Sequence, residues 1–252
     1  MRADQLLVER GLAATRSQAQ RLIAAGLQWH DGRAWRQVAK NGEDLPDAAE
    51  LLLQDDAETR YVSRGGLKLA GALDAAGVDP RGWRCLDLGQ STGGFTDVLL
   101  QRGAAKVVGV DVGHGQLHVR LRADPRVVCL EKVNARELDA SLLQRAGIDA
   151  GFDLVVGDLS FISQTLVLPA VAPLLRDGGI LLMLVKPQFE LQPGQLGKGG
   201  IVRDETLFPV VEQRIRDACA SAGLAVRRWF DSPIRGGDGN REFFVLACKE
   251  PR

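Results

Sequence analysis

The sequence predicts an α/β fold: a mostly parallel sheet with helices on both faces, closed by an antiparallel last strand and preceded by a small α+β domain. Three observations point there. From Arg84 onward, short β-branched runs alternate with helical segments, the pattern of βαβ units. Several of those runs end in charge, at Asp111, Asp158 and Lys186, and open α/β sheets bind ligands beyond the carboxyl ends of their strands. Ahead of them, Met1 to Gln54 reads as two short helices followed by short alternating strands. The domains expected are 1–55, a linker at 56–62 next to the acidic run Asp55-Asp56-Ala57-Glu58-Thr59, and 63–252.

A chain of 252 residues has material for one large domain and a small one. Lys and Arg total 32, as do Asp and Glu, so a polyanionic partner must be met by local basic patches rather than by global attraction. Cys85, Cys129, Cys219 and Cys248 form no Cys-x-x-Cys pair and read as free thiols in a reducing compartment. The three histidines lack metal-ligand spacing, and no metal is expected. No signal peptide is visible, and the longest aliphatic run, Ile180 to Val185, is far below the ~18 residues of a membrane helix. The expectation is a soluble, cytoplasmic protein without a membrane role.

Ala3 to Arg10 has helical periodicity and stops at Gly11, and Thr15-x-x-Gln18 is a capping-box pattern opening a helix from Gln18 to Ala25. Leu27 to Trp29 and Arg33 to Val38 flank the hairpin signal Asp31-Gly32, and Glu50 to Gln54 follows as a third strand. Arg10, Arg16, Arg21, Arg33, Arg36 and Lys40 lie around these elements, with Asp31 the only acid between Arg10 and Gly42. Two readings stand, a solvated basic face or a phosphate-contacting surface. After the linker, Tyr61 to Leu69 starts a helix with Leu67, Ala70, Leu73 and Ala76 on its apolar face, where Lys68 alone reads as a surface lysine. Strands at 84–88, 106–111, 124–130, 151–158 and 180–185 follow, then a helix from Pro209 to Ala222 and a final pair, Val226 to Asp231 and Arg241 to Cys248.

The first strand runs into the glycine-rich turn Gly89-Gln90-Ser91-Thr92-Gly93-Gly94-Phe95 and an amphipathic helix closed by Gly103. Glycines let backbone approach a ligand closely, and a helix amino terminus offers unpaired N–H groups. Asp111, 22 residues after Gly89, is placed where a carboxylate can bond a ribose diol. The spacing is not the Gly-x-Gly-x-x-Gly of dinucleotide sites, and Asp87 would repel a pyrophosphate while suiting a sulfonium or a methionine amino group. S-adenosyl-L-methionine therefore fits better than NAD. Asn134 is either a partner for the adenine edge or a loop cap, and Gln90 is expected to crowd the methionine end of the pocket.

The segment Met1 to Gln54 resembles the alpha-L RNA-binding module, through Asp4-x-Leu6-Leu7-Val8-x-Arg10-Gly11-Leu12, Ser17 to Ile23, Gly26-Leu27 and Asp31-Gly32. The whole chain resembles the TlyA family of ribosomal RNA 2'-O-methyltransferases, also labelled haemolysins, whose catalytic domain is similar to the FtsJ methyltransferases. The motifs are Tyr61-Val-Ser-Arg-Gly-Gly-Leu-Lys68, Ser91-Thr-Gly-Gly-Phe-Thr-Asp97, Val110-Asp-Val-Gly113, Asp158-Leu-Ser-Phe-Ile-Ser163, Val185-Lys-Pro-Gln-Phe-Glu190 and Gly239-Asn-Arg-Glu242. This resemblance implies a Rossmann-like S-adenosylmethionine-dependent methyltransferase sheet and a catalytic tetrad of Lys68, Asp158, Lys186 and Glu242. It also implies ribosomal RNA or ribosomal subunits as partner and a cytidine ribose as target. The cofactor-binding set expected is Asp87, Gly89, Ser91, Thr92, Gly93, Gly94, Phe95, Asp111 and Asn134; the RNA-binding set is Arg10, Arg16, Arg21, Arg33, Lys40 and Arg64. A ribose hydroxyl is a poor nucleophile, so positioning and a base are needed. Lys186 is the candidate base, or, if nearby acids hold it charged, the group that orients the hydroxyl and stabilises oxyanion charge. The Asp/Asn-Pro-Pro-aromatic motif of amine methylation is absent. A non-catalytic RNA-binding assembly factor is the alternative; membrane lysis is not expected.

Overall fold

Among the described residues, two helices and three strands build the first of two units into which the chain divides, Met1–Arg64; Gly65–Arg252 form the second. The structure, a computed structural model, describes residues 1–13, 15–24, 26–52 and 60–251, so the acidic run 55–59 and Gln54 lie outside the described residues.

Helix α1 (Ala3–Glu9) ends where Gly11 takes a left-handed φ of 70°. Helix α2 (Arg16–Ala24) starts two residues before the predicted Gln18, because the Thr15 hydroxyl accepts the Gln18 N–H at 3.2 Å and so caps it. Its predicted last residue, Ala25, is outside the described residues. Strands β1 (Gln28–His30), β2 (Trp35–Gln37) and β3 (Glu50–Leu52) form an antiparallel sheet with β1 in the middle. Leu6, Leu7, Leu22, Ile23 and Leu27 pack as its core.

The second unit runs α3 (Gly65–Ala76), β4 (Arg84–Leu88), α4 (Gly94–Gln101), β5 (Lys106–Asp111), α5 (Val119–Arg122), β6 (Val127–Glu131), α6 (Ala140–Arg145) and β7 (Phe152–Gly157). It continues with α7 (Leu168–Val171), β8 (Leu175–Val185), α8 (Pro187–Glu190), α9 (Phe208–Ser221), β9 (Leu224–Asp231) and β10 (Phe243–Lys249). The sheet order is β6-β5-β4-β7-β8-β10-β9, with β10 antiparallel to both neighbours and the pairs from β6 to β8 parallel. Chain order reverses between β4 and β7, which opens a crevice at their carboxyl ends.

Two helices differ from expectation. Helix α3 buries Lys68, Leu69, Ala72 and Leu73, while Leu67, Ala70 and Ala76 stay half-buried. It is apolar nearly all round, so periodicity leaves its phase to tertiary partners, and the partner of Lys68 is Glu242. Helix α4 is covered on every side from Gly94 to Leu100, so it is a core helix rather than an amphipathic one.

Candidate active site

The turn after β4 is held open by geometry only glycine allows. Gly89 has φ 76°, and a Cβ there would lie 2.7 Å from the Asp158 carbonyl oxygen. At the tip of β5, both oxygens of Asp111 accept backbone N–H groups, Oδ2 from Ser91 and Oδ1 from Gly113, each at 2.7 Å. The Ser91 hydroxyl bonds Gln116 Oε1 at 3.2 Å. Gly89, Ser91, Asp111, Asn134 and Asp158 line one cavity of about 570 Å³, with Val110, Val133 and Ile162 among its apolar walls. Asn134 lines the cavity, and its Oδ1 caps the Arg136 N–H at 3.1 Å, which is the loop-cap reading.

Other residues of the expected cofactor set do not line this cavity. Asp87 is fully buried; its Oδ2 accepts from the Thr96 hydroxyl at 2.7 Å, which in turn accepts from Gln90 Nε2 at 2.9 Å. Gly93 is a packing glycine, since a Cβ there would meet Leu121 Cδ1 at 2.3 Å, and Phe95 stacks on Phe244. Gly94 is buried at the start of α4, and exposed Thr92 accepts the His118 N–H on its carbonyl at 3.2 Å. Gln90 does not reach the cavity. Its side chain, 3% exposed, turns beneath β5 into the space left by Gly109, where a Cβ would fall 1.9 Å from Gln90 Cδ. The expected crowding of the pocket is therefore corrected.

Burial pushes the Asp87 carboxyl up to about 7; the Thr96 hydrogen bond opposes this, and Asp158 and Asp111 add to it. Unfolded, the group titrates near 3.9. Between those values only the folded state holds the proton, so stability falls as pH rises from about 4 to about 7 and stays lowered above. Asp87→Asn should remove that slope. Melting temperatures of variant and wild type, compared from pH 4 to pH 8, should shift in the variant's favour by roughly 3–8 °C across the range; parallel curves would reject the buried titration.

Four charged residues from four segments meet as two ion pairs. Lys68 of α3 donates to Glu242 Oε2 at 2.6 Å, with both side chains almost fully buried. Lys186, just past β8, lies 2.6 Å from Asp158 Oδ1, just past β7, and donates to the Ser160 hydroxyl at 2.8 Å. Burial raises the Glu242 carboxyl, Lys68 and Lys186 oppose it, and Asp158 adds to it, so all four groups act in one electrostatic cluster. Gln116, Ser160 and Phe161 also line the cavity and escape a reading of the sequence. Phe161 carries a φ of 63°, is 89% exposed and faces the Phe189 ring at 5.1 Å. A large aromatic just past a strand-end acid is the signal that could have found it.

In the first unit the basic residues divide. Arg10 donates to the carbonyls of Ala49 and Asp47, and Arg16 to buried Asp4 at 2.8 Å, so both tie the domain together. Arg21 bonds the Ser17 carbonyl within α2. Arg33 and Lys40 are exposed, and Arg64 is half-buried. Among the described residues there is no metal-binding cluster and no helix long and apolar enough to cross a membrane.

Residues 61–249 match the FtsJ-like methyltransferase family and residues 1–27 the S4 domain. The 16S/23S rRNA (cytidine-2'-O)-methyltransferase TlyA of Mycobacterium tuberculosis is 46% identical over 250 residues, 97% of this chain and 88% of that protein. Hemolysin A of Brachyspira hyodysenteriae is 36% identical over 97% of this chain and 98% of its own length. A solved structure from Streptococcus thermophilus, described as a hemolysin, superposes with a TM-score of 0.75 at 39% identity, covering 99% of this chain and 88% of that one. The sheet order, the cavity at its switch point and these likenesses agree: the chain belongs to the FtsJ-like methyltransferases, in the TlyA family that carries an S4 domain ahead of the catalytic sheet.

Proposed function

We propose that this protein methylates a ribose 2'-hydroxyl of ribosomal RNA, on cytidine, with S-adenosyl-L-methionine as donor, and that it works in the cytoplasm. The observation that carries the reading is the Lys186–Asp158 pair, with Ser160, at the rim of the cavity that Asp111 also lines. The residues present fit the cofactor: the volume suits a nucleoside-sized ligand, Asp111 suits a ribose diol, and the apolar walls suit an adenine. Bound there, the cofactor supplies a methyl group already activated as a sulfonium. Asp87 acts from beneath the turn rather than by contact.

The chain's own work is then positioning and one proton. Lys186 holds the 2'-oxygen and stabilises the negative charge that grows on it. The hydroxyl proton passes to the Lys186–Asp158 couple, whose open position in the ion-paired form is the Asp158 carboxylate. Lys68 and Glu242 brace the opposite side of the cluster. Residues 1–55 hold the RNA and 63–252 transfer the methyl group; in the first unit, Arg33 and Lys40 present exposed cations to phosphate. A non-catalytic assembly factor would need the pocket blocked, and Gln90, the residue expected to crowd it, packs against Gly109 instead.

The test is methyl transfer from labelled S-adenosylmethionine to isolated ribosomal subunits, followed by digestion to nucleosides. Label on a cytidine 2'-oxygen is expected. Label on a base, or none while RNA still binds, would reject the reading.

A further inference from the structure

The loop after β7 and the turn after β8 carry Asp158, Ser160 and Lys186, and they are fastened by a carboxyl that belongs to neither ion pair. Glu190, at the end of α8, is 3% exposed. Its Oε2 accepts from the Ser163 hydroxyl at 2.5 Å and its Oε1 from the Gln164 N–H at 2.8 Å. Gln164, itself buried, returns the tie by donating Nε2 to the Leu184 carbonyl at 2.6 Å. The single turn of α8 transmits the constraint to Lys186, whose carbonyl accepts the Phe189 N–H at 2.9 Å. Arg214 of α9 bonds the Glu190 carbonyl oxygen and fixes the far end.

Burying a carboxyl carries a desolvation cost that an apolar side chain in the same place would avoid. Here that cost secures directed bonds between the two segments whose relative position decides the chemistry. We infer that Glu190 is a positioning residue for methyl transfer, a strut that sets the spacing of Lys186 from Asp158 and Ser160. The inference rests on the methyltransferase reading above. It explains why the 158–164 loop and the 184–190 segment are cross-bonded at both ends: through Lys186–Ser160 near the cavity and through Glu190–Ser163 away from it.

The test compares Glu190→Ala, Glu190→Gln, Ser163→Ala and the double variant Ser163→Ala/Glu190→Gln with wild type. Single-turnover methyl transfer to ribosomal subunits is measured with KM for both substrates, well below each melting temperature. A misplacement of about 1 Å costs about 10²-fold, so Glu190→Ala should lose roughly 30- to 100-fold in kcat with both KM values within about twofold. Glu190→Gln keeps one acceptor oxygen and should recover most of that loss. The double variant should be no slower than the worse single one, because both break one strut. A kcat for Glu190→Ala within about threefold of wild type, losses that multiply in the double variant, or a raised KM at unchanged kcat would each overturn the strut. Ser163→Ala removes only a hydroxyl and keeps the test open if the Glu190 variants do not fold. Failure of wild type itself to transfer methyl would sink the functional reading and the strut with it; transfer by wild type with unaffected variants would sink the strut alone.

Discussion

Lys186→Ala should lower methyl transfer by roughly 10²–10⁴-fold while S-adenosylmethionine binding stays within about twofold. The side chain sits between Asp158 and Ser160 at the cavity rim but is not among the residues that line it. On the proposed mechanism its removal takes away the group that meets the 2'-oxygen and leaves the cavity walls intact. Calorimetry for cofactor binding and single-turnover labelling for transfer separate the two effects. Lys186→Arg sharpens the result, since a guanidinium keeps the charge and cannot give up its proton. Recovery of a tenth or more of the rate in Lys186→Arg would favour orientation and charge stabilisation over a lysine base. A rate for Lys186→Ala within tenfold of wild type would remove Lys186 from the centre of the reaction.

The largest loss of stability should come from Lys68→Ala. Lys68 and Glu242 bond at 2.6 Å with side chains 9% and 2% exposed. Removing one member of a buried pair strands the other, a cost of about 3–5 kcal/mol. Burial already raises Glu242, and without Lys68 the carboxyl would bind a proton at still higher pH. Urea denaturation should show the midpoint falling in Lys68→Ala, and Lys68→Met with Glu242→Leu should regain most of the stability but none of the transfer. A loss below about 1 kcal/mol in Lys68→Ala would mean that the pair is effectively solvated.

Much of this arrangement is legible in the chain. Strand runs ending in Asp111, Asp158 and Lys186, together with a glycine turn, announce a sheet with a ligand at its carboxyl edge. What escapes the sequence depends on partners far along it. Gln90 finds its place because Gly109, 19 residues later, has no side chain. The phase of α3 follows from Glu242, and Lys68 looks like a surface residue until that acid is beside it. Strand β8 begins at Leu175 rather than Ile180 because Asp177-Gly178-Gly179 is absorbed as an irregularity against β7. The charge of Asp87 suits a sulfonium, but charge alone does not tell a residue under a turn from one inside a pocket.

One reversed strand governs when this active site comes into being. Phe243 pairs with Val185, so β10 starts where β8 ends, and Glu242 arrives beside the very edge that β7 and β8 reach with their last residues. A parallel strand in that slot would bring its final residue there instead. Strand β9 joins the sheet through β10. A folding intermediate with β6 to β8 in place would own every residue that walls the cavity yet lack the partner of Lys68. Such a species could hold the cofactor and remain inert. Pairing of β10 with β8 is thus the step that delivers Glu242 to Lys68.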